Sequence, residues 1–272
     1  MEFLKTVFSY SFAVRALVCG ILVSLCSSLL GVSLVLKRYS MLGDGLSHVA
    51  FGSAAVALAC GAAPLKVSVP VVIIAAFLLL RVSESGKIKG DAAIALVSSS
   101  ALAIGVTAAT LTTGMNTDIS NYMFGSILAM SKEDVYVSVI SAALVLTLYV
   151  LFYNKIFAVT FDDGFARATG VHSGVYNTLL AVLTAVTVVV GMRMMGALLI
   201  SSIIVFPALS SMRICKRYKS VIVASAVISV ISFITGLLLS FGYDVPTGSA
   251  VVLVNLVVFL ALFGMGKLLK RE

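Results

Sequence analysis

Two ionisable side chains stand in an apolar run that holds no others. Asp44 and His48 fall in MLGDGLSHVAFGSAA, four residues apart. On a helix that spacing stacks them on one face, about one turn or ~6 Å apart. A carboxylate and an imidazole so placed can share a divalent cation, the Asp supplying a hard anionic oxygen and the His a borderline nitrogen. The same pair can relay a proton or form a structural hydrogen bond. His48 is one of only two histidines, so the chain cannot build a His-rich cage by itself. Two protein ligands leave a coordination shell open, which suits transient passage better than storage. Met41, three residues before Asp44, can add a thioether, although a methionine in such a run ordinarily packs.

Other polar positions read more plainly. His172 lies in a polar connection, away from any apolar face, and reads as solvated. Arg193, in GMRMMGAL, sits at the join of two apolar runs and reads as snorkelling to an interface. Asp244, just before Pro246 and Gly248, reads as a turn and helix-capping residue. Cys19, Cys26, Cys60 and Cys215 show no C-x-x-C or paired spacing and read as four buried thiols packed as small hydrophobes. No G-x-x-x-x-G-K-[ST] occurs, since SGKIKG and GMGKLL lack the upstream glycine, so the chain binds no ATP through a P-loop. Neither H-E-x-x-H nor G-x-S-x-G is present, which argues against a zinc protease or a serine hydrolase.

The elements that must position these residues follow from composition. Of 272 residues, 61% are hydrophobic and 11% charged, with a mean hydropathy of +1.16. A soluble domain runs about 45–50% apolar and about 25% charged. A DNA-binding domain, a cytosolic enzyme and a large ectodomain are thereby excluded. The net charge of +8 concerns loop topology in a membrane chain, not nucleic acid. Intramembrane ionisable groups are costly to bury, which makes Asp44 and His48 functional candidates by default. The first apolar run is too long for a signal-peptide core and lacks an A-x-A site, so it reads as a retained span.

Uncharged apolar runs predict spans at Phe12–Leu36, Leu46–Ala62, Val67–Leu80, Ala92–Thr113, Val135–Tyr153, Val175–Gly191, Ala197–Met212, Val221–Phe241 and Ser249–Gly266. Ile119–Met130 is too short to cross and reads as a half or re-entrant helix. The fold class is therefore an all-α polytopic membrane protein, a single domain over 1–272 with eight or nine transmembrane helices. Fourteen of the nineteen Lys and Arg residues then fall on one side, in the groups beginning at Lys37, Arg81, Lys155, Arg213 and Lys267. The remaining five are Lys5, Arg15, Lys66, Lys132 and Arg193. The positive-inside rule makes the richer side cytoplasmic, placing the N-terminus outside and the C-terminus inside. This closes only if Ile119–Met130 does not cross. The one substantial cytoplasmic connection is 154–174, holding FDDGFARATGVHSG. Gly-containing breaks recur in both halves, at Gly31 to Gly52 and Gly191 to Gly196, a pattern that can mark a mid-membrane site.

Five segments in order, LKRYSMLGDGLSHVAFGSA, NYMFGSILAMS, FDDGFARATGV, VGMRMMGALLISSIIVFPALSS and YDVPTGSAVVL, carry a resemblance over nearly the whole chain. The chain resembles the permease subunits of bacterial ABC importers for zinc, manganese or iron. The resemblance implies a type II importer fold and a permease homodimer in the cytoplasmic membrane with the translocation path at its interface. It also implies cytoplasmic ATPase subunits that bind the ATP, and an extracytoplasmic metal-binding protein that delivers the ion. Asp44 and His48 correspond to the family's acidic residue and histidine after the first span, which favours contact with transported Zn2+ or Mn2+. Phe161, Asp162, Ala166, Arg167 and Gly170 correspond to its ATPase-coupling segment. GDGLSHVAF looks more like the zinc-type members. No permanent cofactor and no catalysis are implied. A proton- or ion-coupled secondary transporter using Asp44 and His48 as a relay is the alternative.

Overall fold

The computed structural model describes residues 11–84, 90–112 and 132–268. The predicted half helix Ile119–Met130 lies outside them, as do Lys5, Lys87, Lys89, Lys270 and Arg271 of the charge distribution. Among the described residues the chain forms helices and no strands. In order they are α1 (Ser11–Leu36), α2 (Leu42–Ala59), α3 (Pro64–Glu84), α4 (Gly90–Leu111), α5 (Lys132–Leu151), α6 (Tyr153–Phe161), α7 (Asp163–Ala168), α8 (Ser173–Met195), α9 (Ala197–Ile214), α10 (Tyr218–Tyr243) and α11 (Thr247–Leu268). Nine of these, all but α6 and α7, are long and apolar enough to cross a membrane. In hydrocarbon only a structure that satisfies its own backbone hydrogen bonds is tolerated, which is why apolar runs of this length become helices.

Several boundaries move. α2 begins at Leu42 rather than Leu46, so Asp44 and His48 both lie in its first two turns. α3 begins at Pro64, a residue suited to the first helical position, and runs past Arg81 to Glu84. The connection 154–174 is mostly helical, not an open loop, and comprises α6 and α7.

Side-chain contacts fix the helix directions. Cys26 and Ser33 of α1 meet Ala142 and Tyr149 of α5 in register, so α1 and α5 are parallel. Ser225 and Ser229 of α10 donate to the Ser28 and Ser24 carbonyls in reverse order, so α10 is antiparallel to α1. Gly45 abuts Ile94 and Gly52 abuts Ala101, so α2 and α4 are parallel. Small residues let these backbones approach, as is usual where lipid removes the hydrophobic drive between helices. The termini of α4 and α5 that flank 112–131 therefore lie at the same end of the bundle. That is the arrangement the charge distribution requires if Ile119–Met130 does not cross. α1, α2, α8 and α9 are mostly enclosed, whereas α3, α4, α5 and α11 turn most of their apolar surface outward. Lys37, Arg38, Lys155, Arg167, Arg213, Lys216, Arg217 and Lys219 gather at one end, hereafter the basic end. Of the cysteines, Cys19 and Cys26 are buried, but Cys60 is exposed just past α2 and Cys215 is half-buried. The reading of four buried thiols is corrected: helix ends place two of them outside the core.

Candidate metal site and coupling segment

The site is built on the turn between α1 and α2. Arg38 takes a left-handed conformation (φ 63°), Arg38 N–H donates to the Val35 carbonyl and Tyr39 N–H to that of Leu34. This is the paired capping pattern that ends a helix abruptly, usually with glycine in the left-handed position. Three residues later α2 starts. Its opening Gly43 and the α1 residue Gly31 both press against Ile204 of α9. Gly31 is five residues from the end of α1, or about 7.5 Å. Asp44 is thus set inside the basic end of the bundle, not at its rim.

Asp44 Oδ2 and His48 Nε2 lie 3.7 Å apart, with side chains 40% and 26% exposed. The two are brought together as the spacing predicts. Two ligands on one tetrahedral ion, bonded at about 2.0–2.2 Å, stand roughly 3.3–3.6 Å apart. The observed gap needs only a small side-chain adjustment to accept an ion. Ser47 Oγ donates to the Asp44 carbonyl (2.7 Å) and lies 3.5 Å from Ser201 Oγ of α9, so α9 forms the adjoining wall. Met41 is exposed at the start of α2. Among the described residues no group of three or more His, Cys, Asp or Glu gathers. The pair stands as a two-ligand, part-open site.

α9 starts inside the bundle. Gly196, buried and at φ 86°, makes the turn from α8 into α9, which fold back on each other with Gly191 against Ile200; glycine adopts that conformation freely. Met194, two residues before the turn, accepts from Ser138 Oγ, and Ser138 is six residues into α5, about 9 Å from that helix's start. From this recessed turn α9 runs back past the ionisable pair, which Ser201 adjoins through Ser47. Arg193, one-third exposed, reaches the first turn of α5. Its guanidinium pairs with Asp134 at 2.9 Å, against a carboxylate side chain only 9% exposed.

The predicted coupling residues occupy one compact unit at the basic end. Asp162 is the N-cap of α7, its Oδ1 accepting from Phe165 N–H at 2.9 Å. Ala166 is fully buried. Gly170 (φ 81°) terminates α7, with its own N–H on the Arg167 carbonyl and that of Val171 on the Ala166 carbonyl. Arg167 Nε donates to Ser173 Oγ (2.7 Å), tying α7 to the first residue of α8. Phe161 is exposed and stacks on Phe157 and Tyr218. His172 is exposed, as its polar surroundings predict. Burial, then the neighbouring Tyr218, pushes the Tyr153 phenol above its ordinary value.

Three residues escape a reading by type and spacing. Phe165, like Phe161, is exposed on this unit; an aromatic in a polar stretch is the only signal. Ser201 borders the metal pair with no signal at all, serines being frequent in the chain. Lys37 looks like one more positive-inside charge, yet its side chain is 8% exposed and paired with Asp163 at 3.2 Å.

A polytopic helical bundle with an acid–imidazole pair beside a recessed helical turn, and a folded amphipathic unit at one end, fits a transporter membrane subunit. The ABC 3 transport family matches residues 9–266, and the chain belongs to it. It is 29% identical over 261 residues, covering 96% of this chain and 89% of the other, to the manganese transport system membrane protein MntC of Halalkalibacterium halodurans. It is 29% identical over 257 residues, covering 94% and 97%, to the high-affinity zinc uptake system membrane protein ZnuB of Haemophilus influenzae. A chain of PsaBC from Streptococcus pneumoniae, solved in complex with a Fab, superposes with a TM-score of 0.86 at 27% identity, covering 96% of this chain and 94% of that one. The chain is thus the permease component of a metal ABC importer, an all-α, multi-pass membrane protein of the type II importer fold. Its relatives carry both manganese and zinc in their names.

Proposed function

We propose that this chain, a single permease domain over 1–272, conducts a divalent transition metal into the cytoplasm, zinc ahead of manganese, past Asp44 and His48. The observation that carries the reading is the 3.7 Å separation of a part-exposed carboxylate and imidazole inside the bundle, walled by α9. Zinc is placed first because GDGLSHVAF resembles the zinc-type members; the pair itself suits either ion. With only two ligands from one chain, a second copy in a homodimer, or water, completes the shell. The ion is held loosely enough to move on.

The power stroke comes from cytoplasmic ATPase subunits that bind ATP and seat on α6 and α7, where the exposed rings of Phe161 and Phe165 offer an apolar foothold. An extracytoplasmic binding protein delivers the ion at the opposite end. The basic end faces the cytoplasm of a bacterial cell, so the C-terminus is inside. Metal-resolved uptake in cells lacking the chain tests this. Restoring it raises zinc accumulation, and Asp44→Ala or His48→Ala abolishes the gain with the complex still assembled. Normal uptake by both variants removes the site assignment, and a manganese-only gain reverses the metal order.

A further inference from the structure

Lys37 is buried in a way that the topology of charges does not require. An ammonium has three N–H donors, and all three are used: on the Val159 carbonyl at 2.6 Å, Asn177 Oδ1 at 2.8 Å and Asp163 Oδ1 at 3.2 Å. Asn177 Nδ2 in turn donates to Asp163 Oδ2 at 3.2 Å, closing a ring. The three acceptors belong to α6, α7 and α8. Val159 lies in the last turn of α6, where carbonyls lack intrahelical partners and a cation is favoured. Asp163 sits at the first position of α7, where a carboxylate is favoured by the same dipole logic. One cation therefore ties together the ends of three helices.

The stretch of chain between Lys37 and α2 is equally constrained. The capped turn at Arg38 and Tyr39 leads through Leu42 N–H on the Tyr39 carbonyl and Gly45 N–H on that of Met41 into α2. Six residues lie between Lys37 and Asp44, with hydrogen-bonded turns along the way and no open loop. The path from α7 to the acid–imidazole pair is thus a short series of stiff parts. A buried cation with saturated donors resists separation from its acceptors, since parting them leaves charge unpaired in a poorly solvated place.

We infer that Lys37 is the positioning residue that makes the α6–α7 unit move together with the α1–α2 turn, so that displacement of the unit reaches Asp44 and His48. The inference rests on the proposed roles of α6–α7 and of the metal pair. Coupling of this kind is reciprocal: metal at the pair also biases the position of α7.

The test is the ratio of zinc moved to ATP hydrolysed, in proteoliposomes holding the complete transporter with its ATPases and zinc-loaded binding protein. Lys37→Met keeps the aliphatic length and removes the charge. It is expected to retain ATP hydrolysis while the ratio falls about tenfold, inside the usual range of coupling free energies. Lys37→Arg, which keeps charge and donors, restores most of it. A purely structural role lowers hydrolysis and uptake in proportion to the amount of complex and leaves the ratio unchanged. Asp163→Asn, at a side chain 38% exposed, keeps shape and removes the ion pair from its tolerant end; it lowers the ratio as well. An unchanged ratio in Asp163→Asn overturns the inference, including where Lys37→Met fails to assemble. Failure of the underlying reading appears separately, as wild-type transport that persists in Asp44→Ala and His48→Ala.

Discussion

Gly31→Ala strikes the contact on which the site is mounted. A Cβ at Gly31 would lie 2.0 Å from the Ile204 carbonyl oxygen and 2.9 Å from its carbon. Reaching an ordinary contact of 3.4 Å asks α1 and α9 to part by about 1.4 Å. Overpacking of a tight core costs about 1–3 kcal/mol, and a backbone obstacle puts the cost at the upper end because no rotamer relieves it. Replacing a mid-helix glycine returns about 0.5–1 kcal/mol. The net loss is about 2 kcal/mol, or about 5 °C in midpoint by the scaling of domains of comparable size. Gly43→Ala is the control. Its Cβ meets Ile204 Cδ1 at 2.7 Å, the far end of a side chain that can turn aside, and the gain of about 0.5–1 kcal/mol from replacing a helical glycine offsets that adjustment. Thermal midpoints of the detergent-purified variants, read by size-exclusion after heating, separate the two. Ile204→Ala relieves any strain in Gly43→Ala but does not rescue Gly31→Ala, because the colliding atom there is a carbonyl oxygen. A Gly31→Ala protein as stable as wild type, or one rescued by Ile204→Ala, refutes the packing of α9 between α1 and α2.

Two further outcomes concern the basic end and its opposite. Arg167→Glu breaks the 2.7 Å bond to Ser173 and reverses a charge on the coupling unit; the ATPase is lost on co-purification or hydrolysis proceeds without metal uptake, and intact uptake with the ATPase retained removes Arg167 from the coupling segment. Cys60 is exposed past the end of α2 opposite the basic end, so a membrane-impermeant maleimide labels it in whole cells but leaves buried Cys19 and Cys26 unmodified; labelling of Cys60 confined to inside-out vesicles reverses the orientation.

Much of this was legible in the chain because the membrane simplifies the problem. Long uncharged runs have to be helices, and the span count follows from where charges interrupt them. The pairing of Asp44 with His48 follows from a four-residue spacing once the segment is helical. The start of α2 was not legible: LGDG reads as a break, and only the packing of Gly43 on Ile204 and Gly45 on Ile94 makes helix the better use of those glycines. Lys37 and Arg193 illustrate the same limit. A basic residue beside a span reads as a topological marker, and its acceptors, Asp163 and Asp134, stand 126 residues away and in a separate helix. The 154–174 connection hid two helices because its polar and glycine residues are caps, Asp162 opening α7 and Gly170 closing it.

The most direct measurement locates the ion itself. Anomalous diffraction or edge-resolved cryo-crystallography on the zinc-loaded transporter is predicted to place a peak about 2.0–2.2 Å from both a carboxylate oxygen of Asp44 and Nε2 of His48, lost in His48→Ala. Metal bound elsewhere along the path in every loaded state, with none between these two side chains, contradicts the account.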